Sequence, residues 1–332
     1  MASATPTFII CELAQTHEGS LALAKCLVRA AAMSQADAVK VQVFAADELC
    51  VPAYKHRELF CNLEWPEPQW RELIDFSHDC GIKIFADVFG TASLLMLVRN
   101  GIDGLKIHGT DMRNSPLLTR VGALELPLIL GVGGATTDEI EAAIGTIGRR
   151  PGKAGPVLMV GFQNYPTKLE DSHLNRIKYL QQRFGLPLGY ADHVAGSSPF
   201  GLALCAAAIA MGASYIEKHM TIARVLKMED HESALAPDEF ALFVSKIRAV
   251  DSAMGVESGE LRPAEVTYRT ETRKHVVAAV KIAANAIITD SDVALRRAPS
   301  DAPPADLRDI VGGTATKAYE VNEVIQATGV RR

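Results

Sequence analysis

The chain has 332 residues, of which 48% are hydrophobic, and its formal net charge is −5 at pH 7. This length allows one large α/β domain with an appendage or two ordinary domains, and the hydrophobic share is that of a soluble enzyme. The negative charge and the absence of a Lys/Arg-rich run argue against nucleic acid as a partner, and no apolar run reaches the roughly 18 residues that span a bilayer.

The chain start and the cysteines indicate the compartment. The segment MASATPTFII lacks the basic stretch, apolar stretch and cleavage site of a signal peptide. The six cysteines are scattered singly, with no pair at metal-binding or redox spacing, so we interpret them as reduced core thiols. We therefore expect a cytoplasmic protein with no membrane partner.

Short apolar strands alternate with amphipathic helical segments over residues 1–255. The predicted strands are FIICELA, AVKVQVF, KIFADVF, GLKIHG, PLILGVG, PVLMVGF, PLGYADH and YIEKHM. Helical segments such as SLALAKCLVRAAAMSQ and TDEIEAAIGTIGRR lie between them, and several begin with Ser, Thr or Asp in the N-cap position. Eight such repeats predict an α/β fold of the (β/α)8 TIM-barrel type, because a doubly wound sheet normally uses fewer strands.

Two segments depart from this repeat. Residues 50–80 are longer than a simple crossover, and their proline and aromatic content suits a lid over the barrel or a subunit contact. After residue 255 a polar linker is predicted over 256–272, followed by a small β-rich domain over 273–332 with the strand-like runs HVVAAVKI, AIITDSDV and KAYEVNEVIQ. A module this small gains stability by docking onto another surface.

Acids, bases and imidazoles recur at the carboxyl ends of several predicted strands, where active sites lie in barrels of this kind. They are Glu12, Lys40 with Gln42, Lys106 with His108, Asp192 with His193, and Glu217 with His219. A lone charged residue at a strand end is more often a solvated cap or an ion-pair partner. Because so many strands carry such residues at the same end, we interpret the set as a shared site.

The run ASYIEKHMTI places Glu217, Lys218 and His219 consecutively in an apolar strand. Burying an unpaired charge costs several kcal/mol, so these residues are either compensated by partners or lie at a mouth open to water. The two-residue period of a strand puts Glu217 and His219 on one face and Lys218 on the other. We expect the run to line the wet rim of the barrel.

Two pairs of side chains suggest ligand binding. His193 and His219 end neighbouring strands, which lie about 4.8 Å apart, so their rings can share a divalent metal and leave positions for water and substrate oxygen. Two histidines alone are a weak metal motif, and the alternative is that one is merely hydrogen bonded to Asp230 or Glu217. Lys40 and Lys106 suit a phosphate or carboxylate, to which the small residues of GVGGAT can add backbone N–H groups.

A series of motifs resembles those of one known family, in the same order along nearly the whole chain. They are CELAQTHEGS, DAVKVQVF, LKIHGTDMRNSPLL, PLILGVGGAT, NYPT, GYADHVAG, IEKHMT and EDHESALAPDEF. Together they resemble the sialic acid (N-acetylneuraminate) synthases and their spore coat polysaccharide relatives. The tail is similar to the SAF (antifreeze-like) domain of that family.

This resemblance implies an activity and a set of roles. Family members condense phosphoenolpyruvate with an N-acetylated hexosamine such as N-acetylmannosamine, in surface polysaccharide biosynthesis, giving a nonulosonic acid and phosphate. They use a divalent metal, for which we expect Mn2+ with Co2+ or Mg2+ as alternatives. The implied roles are metal binding for His193 and His219, catalysis for Glu12 and Glu217, phosphoenolpyruvate binding for Lys40 and Lys106, and sugar binding for Gln42, Asp111, Tyr165, Asp230 and Arg297. Arg297 would come from the tail of a partner in a domain-swapped homodimer.

The chain departs from the family pattern at several positions, including Gln163, where the family often has Ser or Asn. Family serines that help to hold phosphoenolpyruvate correspond to Gly109, Gly131 and Ala191, and a family asparagine corresponds to Thr16. Hydrogen bonds to charged groups contribute about 1.5–3 kcal/mol each, so backbone N–H groups or the additional His108 would have to substitute. A metal-assisted aldolase or lyase using pyruvate therefore stays open, as does a non-catalytic sugar-binding relative, although the retained acids, histidines and lysines argue against the latter.

Overall fold

The computed structural model describes residues 5–148, 155–300 and 303–332, which form two units, Met1–Val256 and Glu257–Arg332. The first unit is built around a closed barrel of parallel strands that pair in chain order. The strands are β1 (Phe8–Ala14), β2 (Ala38–Val43), β3 (Lys83–Val88), β4 (Gly104–Ile107), β5 (Leu128–Gly131), β6 (Val157–Val160), β7 (Leu188–Asp192) and β8 (Ala213–His219). The predicted TIM barrel is confirmed, with each strand inside or overlapping its predicted run.

Helices on the outside of the barrel follow the strands. Those of the first unit are α1 (Leu21–Met33), α2 (Ala46–Leu49), α3 (Arg57–Leu63), α4 (Glu67–Asp79), α5 (Thr91–Arg99), α6 (Ser115–Gly122), α7 (Thr137–Ile147), α8 (Asn175–Phe184), α9 (Gly201–Ala210) and α10 (Pro237–Met254). The Ser20 hydroxyl caps α1, and Thr136 with Glu139 forms a capping box at α7, as the N-cap signals predict. No helix within the described part of the chain is long and apolar enough to cross a membrane.

The long segment after β2 contains both a crossover helix and additional structure. Helix α4 is the crossover, and it buries Trp70, Leu73 and Ile74. The additional part is the pair of short helices α2 and α3, in which only Ala46 and Leu63 are buried. Whether this part serves as a lid or a subunit contact stays a prediction.

The barrel interior is filled at its lower end by apolar side chains. Phe85 is 2% exposed and packs there with the other members of this cluster, Ile10, Ala38, Ile129, Val157, Met159 and Ala191. A Cβ at Gly104 would lie 2.5 Å from the Phe85 ring, so the ring occupies space that only glycine leaves open. Two residues further along three strands, the same inward face carries Glu12, Lys40 and Asp87. The apolar plug therefore forms the floor of a polar upper layer.

The second unit is a small β-rich body. Its strands form two antiparallel pairs, β9 (Lys274–Ala278) with β10 (Val293–Arg297) and β11 (Thr314–Ala315) with β12 (Val330–Arg331). Helix α12 (Leu307–Ile310) and a core that includes Val276, Ile288 and Tyr319 complete it. Helix α11 (Pro263–Thr272), which has no buried residue, occupies most of the segment predicted as a linker.

The strands of this unit differ from those predicted. Of the runs AIITDSDV and KAYEVNEVIQ, only Val293 belongs to a strand, and the rest contribute isolated bridges such as Ile287 to Thr314 and Ile282 to Tyr319. Each run sends only a few apolar side chains into a small core, Ile288 from the first and Tyr319 and Ile325 from the second. The backbone turns at Asn285, immediately before the first run, and at Asn322 within the second, and φ is positive at both residues.

We expect Phe85→Ala to lower the free energy of unfolding by about 3–5 kcal/mol, because it removes a large side chain from a closed interior. Urea unfolding of the purified chain measures this. As a control, Phe200→Ala removes a ring that is 53% exposed and should change stability by less than about 0.5 kcal/mol. A loss below about 1 kcal/mol for Phe85→Ala would mean that the barrel floor is not closely packed.

Candidate active site

The charged run at the end of β8 is buried and paired. Glu217, Lys218 and His219 are 1%, 2% and 2% exposed, so the expectation of a wet rim is wrong for these side chains. The alternative of compensation by partners holds. Glu217 Oε1 accepts from Lys106 Nζ at 2.7 Å, and Lys218 Nζ donates to Asp192 Oδ2 at 2.6 Å.

Glu217 belongs to an interior charge cluster, which comprises Glu12, Lys40, Asp87, Lys106 and Glu217. The Lys40 ammonium is fully buried and paired with the carboxylates of Glu12 and Asp87, and it lies 3.7 Å from Glu217 Oε1. Lys106 Nζ lies 3.8 Å from Asp87 Oδ2 in addition to its bond with Glu217. Lys40 therefore does not project alone into an open mouth, as expected for an anion-binding lysine, but is enclosed by acids from neighbouring strands.

Burial and pairing act in opposite directions on this cluster. Burial lowers the pKa of Lys40, and the nearby Asp87 and Glu217 offset this only in part. For Lys106, burial also lowers the pKa, but Asp87 and Glu217 outweigh it and hold the pKa above its ordinary value. Burial raises the pKa of Asp87, and the ammonium groups of Lys106 and Lys40 bring it below the usual range. The charged form of Asp87 is thus stabilised by the same lysines that it neutralises.

Two imidazoles and a phenol ring stand close together in the barrel. The rings of His193 and His219 have centroids 5.2 Å apart, and Tyr165 meets them edge-on at 5.4 and 5.7 Å. The predicted closeness of the two histidines is confirmed. Ser233 Oγ donates to the His193 carbonyl at 2.6 Å, and Leu235 N donates to the His219 carbonyl at 2.9 Å, so the backbone of each histidine is anchored.

The histidine pair fits a divalent metal ion. Burial lowers the pKa of His193 to about 3 and that of His219 well below its ordinary value, so both rings are neutral, as metal ligation requires. The buried Nδ1 atoms of both rings lack a hydrogen-bond partner, and neither ring is bonded to Glu217 or Asp230 within the described residues. Among those residues, no group of three or more His, Cys, Asp or Glu is arranged to hold a metal. Water or substrate oxygen would have to supply the remaining ligands.

A second ion pair lies on the reverse face of β7 and β8. Asp192 and Lys218 are opposite each other in the strand register, one residue before His193 and His219. Lys218 Nζ also donates to the Val194 carbonyl at 3.1 Å. This pair joins the ends of the two strands directly behind the histidines and therefore fixes their spacing.

The residues predicted to bind sugar are only partly brought together. Tyr165 contacts both histidines, and burial, together with the charge of Asp230, raises the pKa of its phenol. Burial raises the pKa of Asp230 itself to about 6.

The other predicted sugar-binding residues have different surroundings. Gln42 is opposite Asp87 in the strand register and accepts from Gln15 at 3.3 Å. Asp111 accepts from Asn114 at 2.7 Å in the turn after β4, and Arg297 is exposed at the end of β10 in the second unit. Their sugar-binding roles stay predictions.

A cavity of about 400 Å3 opens beside the charge cluster and the histidines. Lys106 and His193 line one part of it, and the rest is lined by residues of β5, β6 and β7 and by the turns after β4, β5 and β6. Gly109, Gly131 and Ala191, the three positions where family serines are missing, all lie in its wall. Thr16 lies elsewhere and is buried, with its hydroxyl bonded to the Leu13 and Met220 carbonyls.

Asp87 and His17 were not identified from the sequence. Asp87 follows Phe85 by two residues in β3 and pairs in register with Lys106, so strand periodicity would have placed it on the inward face. His17 is fully buried against Trp65, with ring centroids 4.5 Å apart, and its Nδ1 accepts from Gly19 N at 3.1 Å. His17 belongs to the motif CELAQTHEGS, and this membership is the sequence signal that could have identified it.

The sequence pattern of the NeuB family matches residues 27–259, which is more than half of the chain. The chain belongs to the NeuB family. A SAF domain matches residues 273–331, so this NeuB-family protein carries the predicted tail domain. The predicted family is confirmed.

Named relatives of this NeuB-family chain include two synthases. N,N'-diacetyllegionaminic acid synthase of Legionella pneumophila is 32% identical over 93% of this chain and 90% of its own length. N-acetylneuraminate-9-phosphate synthase of Homo sapiens is 29% identical over 96% of this chain and 91% of its own length. Among solved structures, the N-acetylneuraminic acid (sialic acid) synthetase of Leptospira borgpetersenii in complex with citrate is 30% identical, with a TM-score of 0.73 over 81% of this chain and 93% of its own.

We expect Lys218→Met to lower the free energy of unfolding by about 3–5 kcal/mol, because it leaves the Asp192 carboxylate buried without its counter-ion. Adding Asp192→Asn removes that charge, so the double variant should be more stable than Lys218→Met alone. Urea unfolding of the wild type, both single variants and the double variant gives the coupling energy. Simple additivity of the two single effects would show that the pair does not join the strand ends.

Proposed function

We propose that this protein condenses phosphoenolpyruvate with an N-acylated hexosamine, of the N-acetylmannosamine type, to a nonulosonic acid and phosphate. The observation that carries the proposal is the interior charge cluster beside two neutral, buried imidazoles, in a chain of the NeuB family whose relatives are named as synthases of such acids. Surface polysaccharide biosynthesis is the corresponding process, and because phosphoenolpyruvate is an intracellular metabolite, a cytoplasmic location belongs to the same proposal.

The reaction forms one carbon–carbon bond and breaks one carbon–oxygen bond. C3 of phosphoenolpyruvate attacks the aldehyde carbon of the open-chain sugar, which leaves positive character at C2. Water adds at C2, and the tetrahedral adduct expels phosphate to give the keto acid. The chain must therefore hold an anion, supply a proton to the sugar oxygen and remove a proton from water.

The interior charge cluster can meet these needs. Lys106 lines the cavity and is assigned to the phosphoenolpyruvate anion, with Lys40 behind it holding Glu12 and Asp87 in place. Glu12 is the first candidate to orient or deprotonate water, and Glu217, which has one oxygen without a partner, is the second. Both carboxylates are buried, which strengthens their interaction with a developing positive charge.

His193 and His219 would hold the divalent metal, expected to be Mn2+ with Co2+ or Mg2+ as alternatives. Such an ion, when bound, acts as a Lewis acid on the sugar aldehyde oxygen. Tyr165 packs against both rings, and the charge of Asp230 reaches its phenol, which supports contacts of these two residues with the sugar. Gln42 and Asp111 complete the proposed sugar-binding set.

The proposed partner is a second copy of the chain in a domain-swapped homodimer. In this arrangement Arg297, which is exposed on β10, comes from the partner's SAF domain and binds the N-acyl group of the sugar. The neighbouring Arg296 is bonded to Asn322 within its own unit, which supports Arg297 as the residue that reaches a ligand.

A metal-assisted aldolase or lyase that uses pyruvate is the second candidate. One observation favours it: Gly109, Gly131 and Ala191 offer no hydroxyl to a phosphate in the cavity, and the Thr110 hydroxyl lies 2.8 Å from His108 Nδ1. Pyruvate needs no phosphate contact. The two candidates differ in whether phosphate appears among the products.

The deciding experiment combines the purified chain, Mn2+ and phosphoenolpyruvate with a panel of N-acylated hexosamines, and measures released phosphate and product mass. We expect one phosphate per product, and a product mass equal to both substrates plus water minus phosphoric acid. Glu12→Gln is the inactive control, because an amide cannot accept the proton from water. A product formed from pyruvate without phosphate release would instead identify an aldolase, and sugar binding without any product would identify a non-catalytic relative.

Removal of divalent metal should abolish turnover, and Mn2+ or Co2+ should restore it. We expect His193→Ala and His219→Ala each to lose both turnover and Mn2+ binding measured by titration calorimetry, because each would remove one of two protein ligands. His173→Asn, which changes an exposed histidine, should retain both properties. Full turnover in excess chelator, or normal Mn2+ binding by either alanine variant, would remove the metal from the proposal.

A further inference from the structure

The cavity beside the charge cluster contains no carboxylate among its lining residues. Within the described chain, its polar side chains are those of Lys106, His108, Thr110, Gln163 and His193, and the rest of the wall is glycine backbone or apolar. The acids of the cluster lie behind Lys106, where they pair with lysines. An anion that enters this cavity therefore meets hydrogen-bond donors without meeting a negative side chain.

The glycine backbone provides several of those donors. The N–H groups of Gly109, Gly133 and Gly134 have no acceptor within the described residues, although all three residues line the cavity. Backbone N–H groups without internal partners at adjacent turns are typical of sites for oxyanions. A phosphate has enough oxygen atoms to accept from several such groups together.

These turns pack too closely for larger residues. A Cβ at Gly133 would lie 2.1 Å from the Gly161 carbonyl oxygen, and one at Gly109 would lie 2.8 Å from that of Gly133. The residues that can supply side-chain donors are therefore those next to the glycines. His108 immediately precedes Gly109 at the end of β4, and it is half-buried in the cavity wall.

Its neighbours hold the His108 ring in a defined position. Nδ1 accepts from Thr110 N at 3.3 Å and lies 2.8 Å from the Thr110 hydroxyl, and the ring packs against Phe89 with centroids 5.7 Å apart. Because Nδ1 accepts, the neutral ring carries its hydrogen on Nε2. The exposed side chain of Gln163 is also hydrogen bonded to this ring.

We propose that His108, together with the N–H groups of Gly109, Gly133 and Gly134, binds the phosphate group of the substrate in this cavity. This inference rests on the proposed function and names the residues that determine its preference for a phosphorylated substrate. Lys106 cannot supply that preference alone, since its ammonium is already bonded to Glu217. In this chain an imidazole and main-chain N–H groups bind the phosphate, since Gly109, Gly131 and Ala191 have no side-chain hydroxyl.

The test compares binding of phosphoenolpyruvate, inorganic phosphate and pyruvate to the full chain by titration calorimetry in the presence of Mn2+. We expect His108→Asn to weaken the binding of phosphoenolpyruvate and of phosphate by about 10-fold or more, which is the usual effect of losing a hydrogen bond to a charged group. The affinity for pyruvate, which lacks the phosphate, should change by less than about 2-fold. The control His173→Asn should match the wild type for all three ligands.

Steady-state kinetics give a second readout, in which the KM for phosphoenolpyruvate rises and the KM for the sugar stays constant. His108→Gln repeats the test if His108→Asn does not fold. Unchanged phosphoenolpyruvate binding, or equal weakening of phosphoenolpyruvate and pyruvate, would overturn the inference, as would a wild type that binds neither phosphoenolpyruvate nor phosphate. Selective weakening with no product from any hexosamine would uphold the inference and refute the proposed function.

Discussion

Ion pairing inside the barrel is the constraint on which the site depends. Lys40 and Lys106 stand among three carboxylates, so the cluster carries one more negative than positive formal charge although its side chains are almost fully buried. At an effective dielectric constant of about 20, two opposite charges 4 Å apart attract by about 4 kcal/mol, which is comparable to the cost of leaving one of them buried alone. The strands that carry these groups must therefore keep their register, and the same register places the carboxylates beside the cavity.

The two histidines depend on this arrangement in a different way. They are buried next to ammonium groups, and burial together with that positive charge keeps both rings neutral. The pair of Asp192 and Lys218 on the reverse face connects the strands one residue earlier. Successive side chains at the ends of β7 and β8 point to opposite faces. One face carries the ion pair that holds the strand ends together, and the other carries the imidazoles.

Much of the fold could be predicted because every barrel strand is an apolar run bounded by helical segments and turn residues. The shared face of Glu217 and His219 followed from the two-residue period alone. The burial of that face did not, because its compensation comes from Lys106, more than a hundred positions away. Asp87 was missed for the same reason, because a single acid within a strand cannot be recognised as part of a charge cluster until the fold places it beside Lys40. In the tail unit, strand-like apolar runs predicted strands where the backbone turns, because a small core needs only a few inward residues from each segment.

The close packing of the cavity turns limits how the pocket can diverge. Where a carbonyl oxygen stands 2.1 Å from the point that a methyl group would occupy, no substitution at Gly133 is accommodated without moving the neighbouring turn. New ligand preferences can instead arise at His108, Thr110 or Gln163, three polar positions of the cavity wall outside the charge cluster and the histidine pair. Directed evolution toward other acceptor sugars or carbon donors would gain most from libraries at these three sites, with the glycines left untouched.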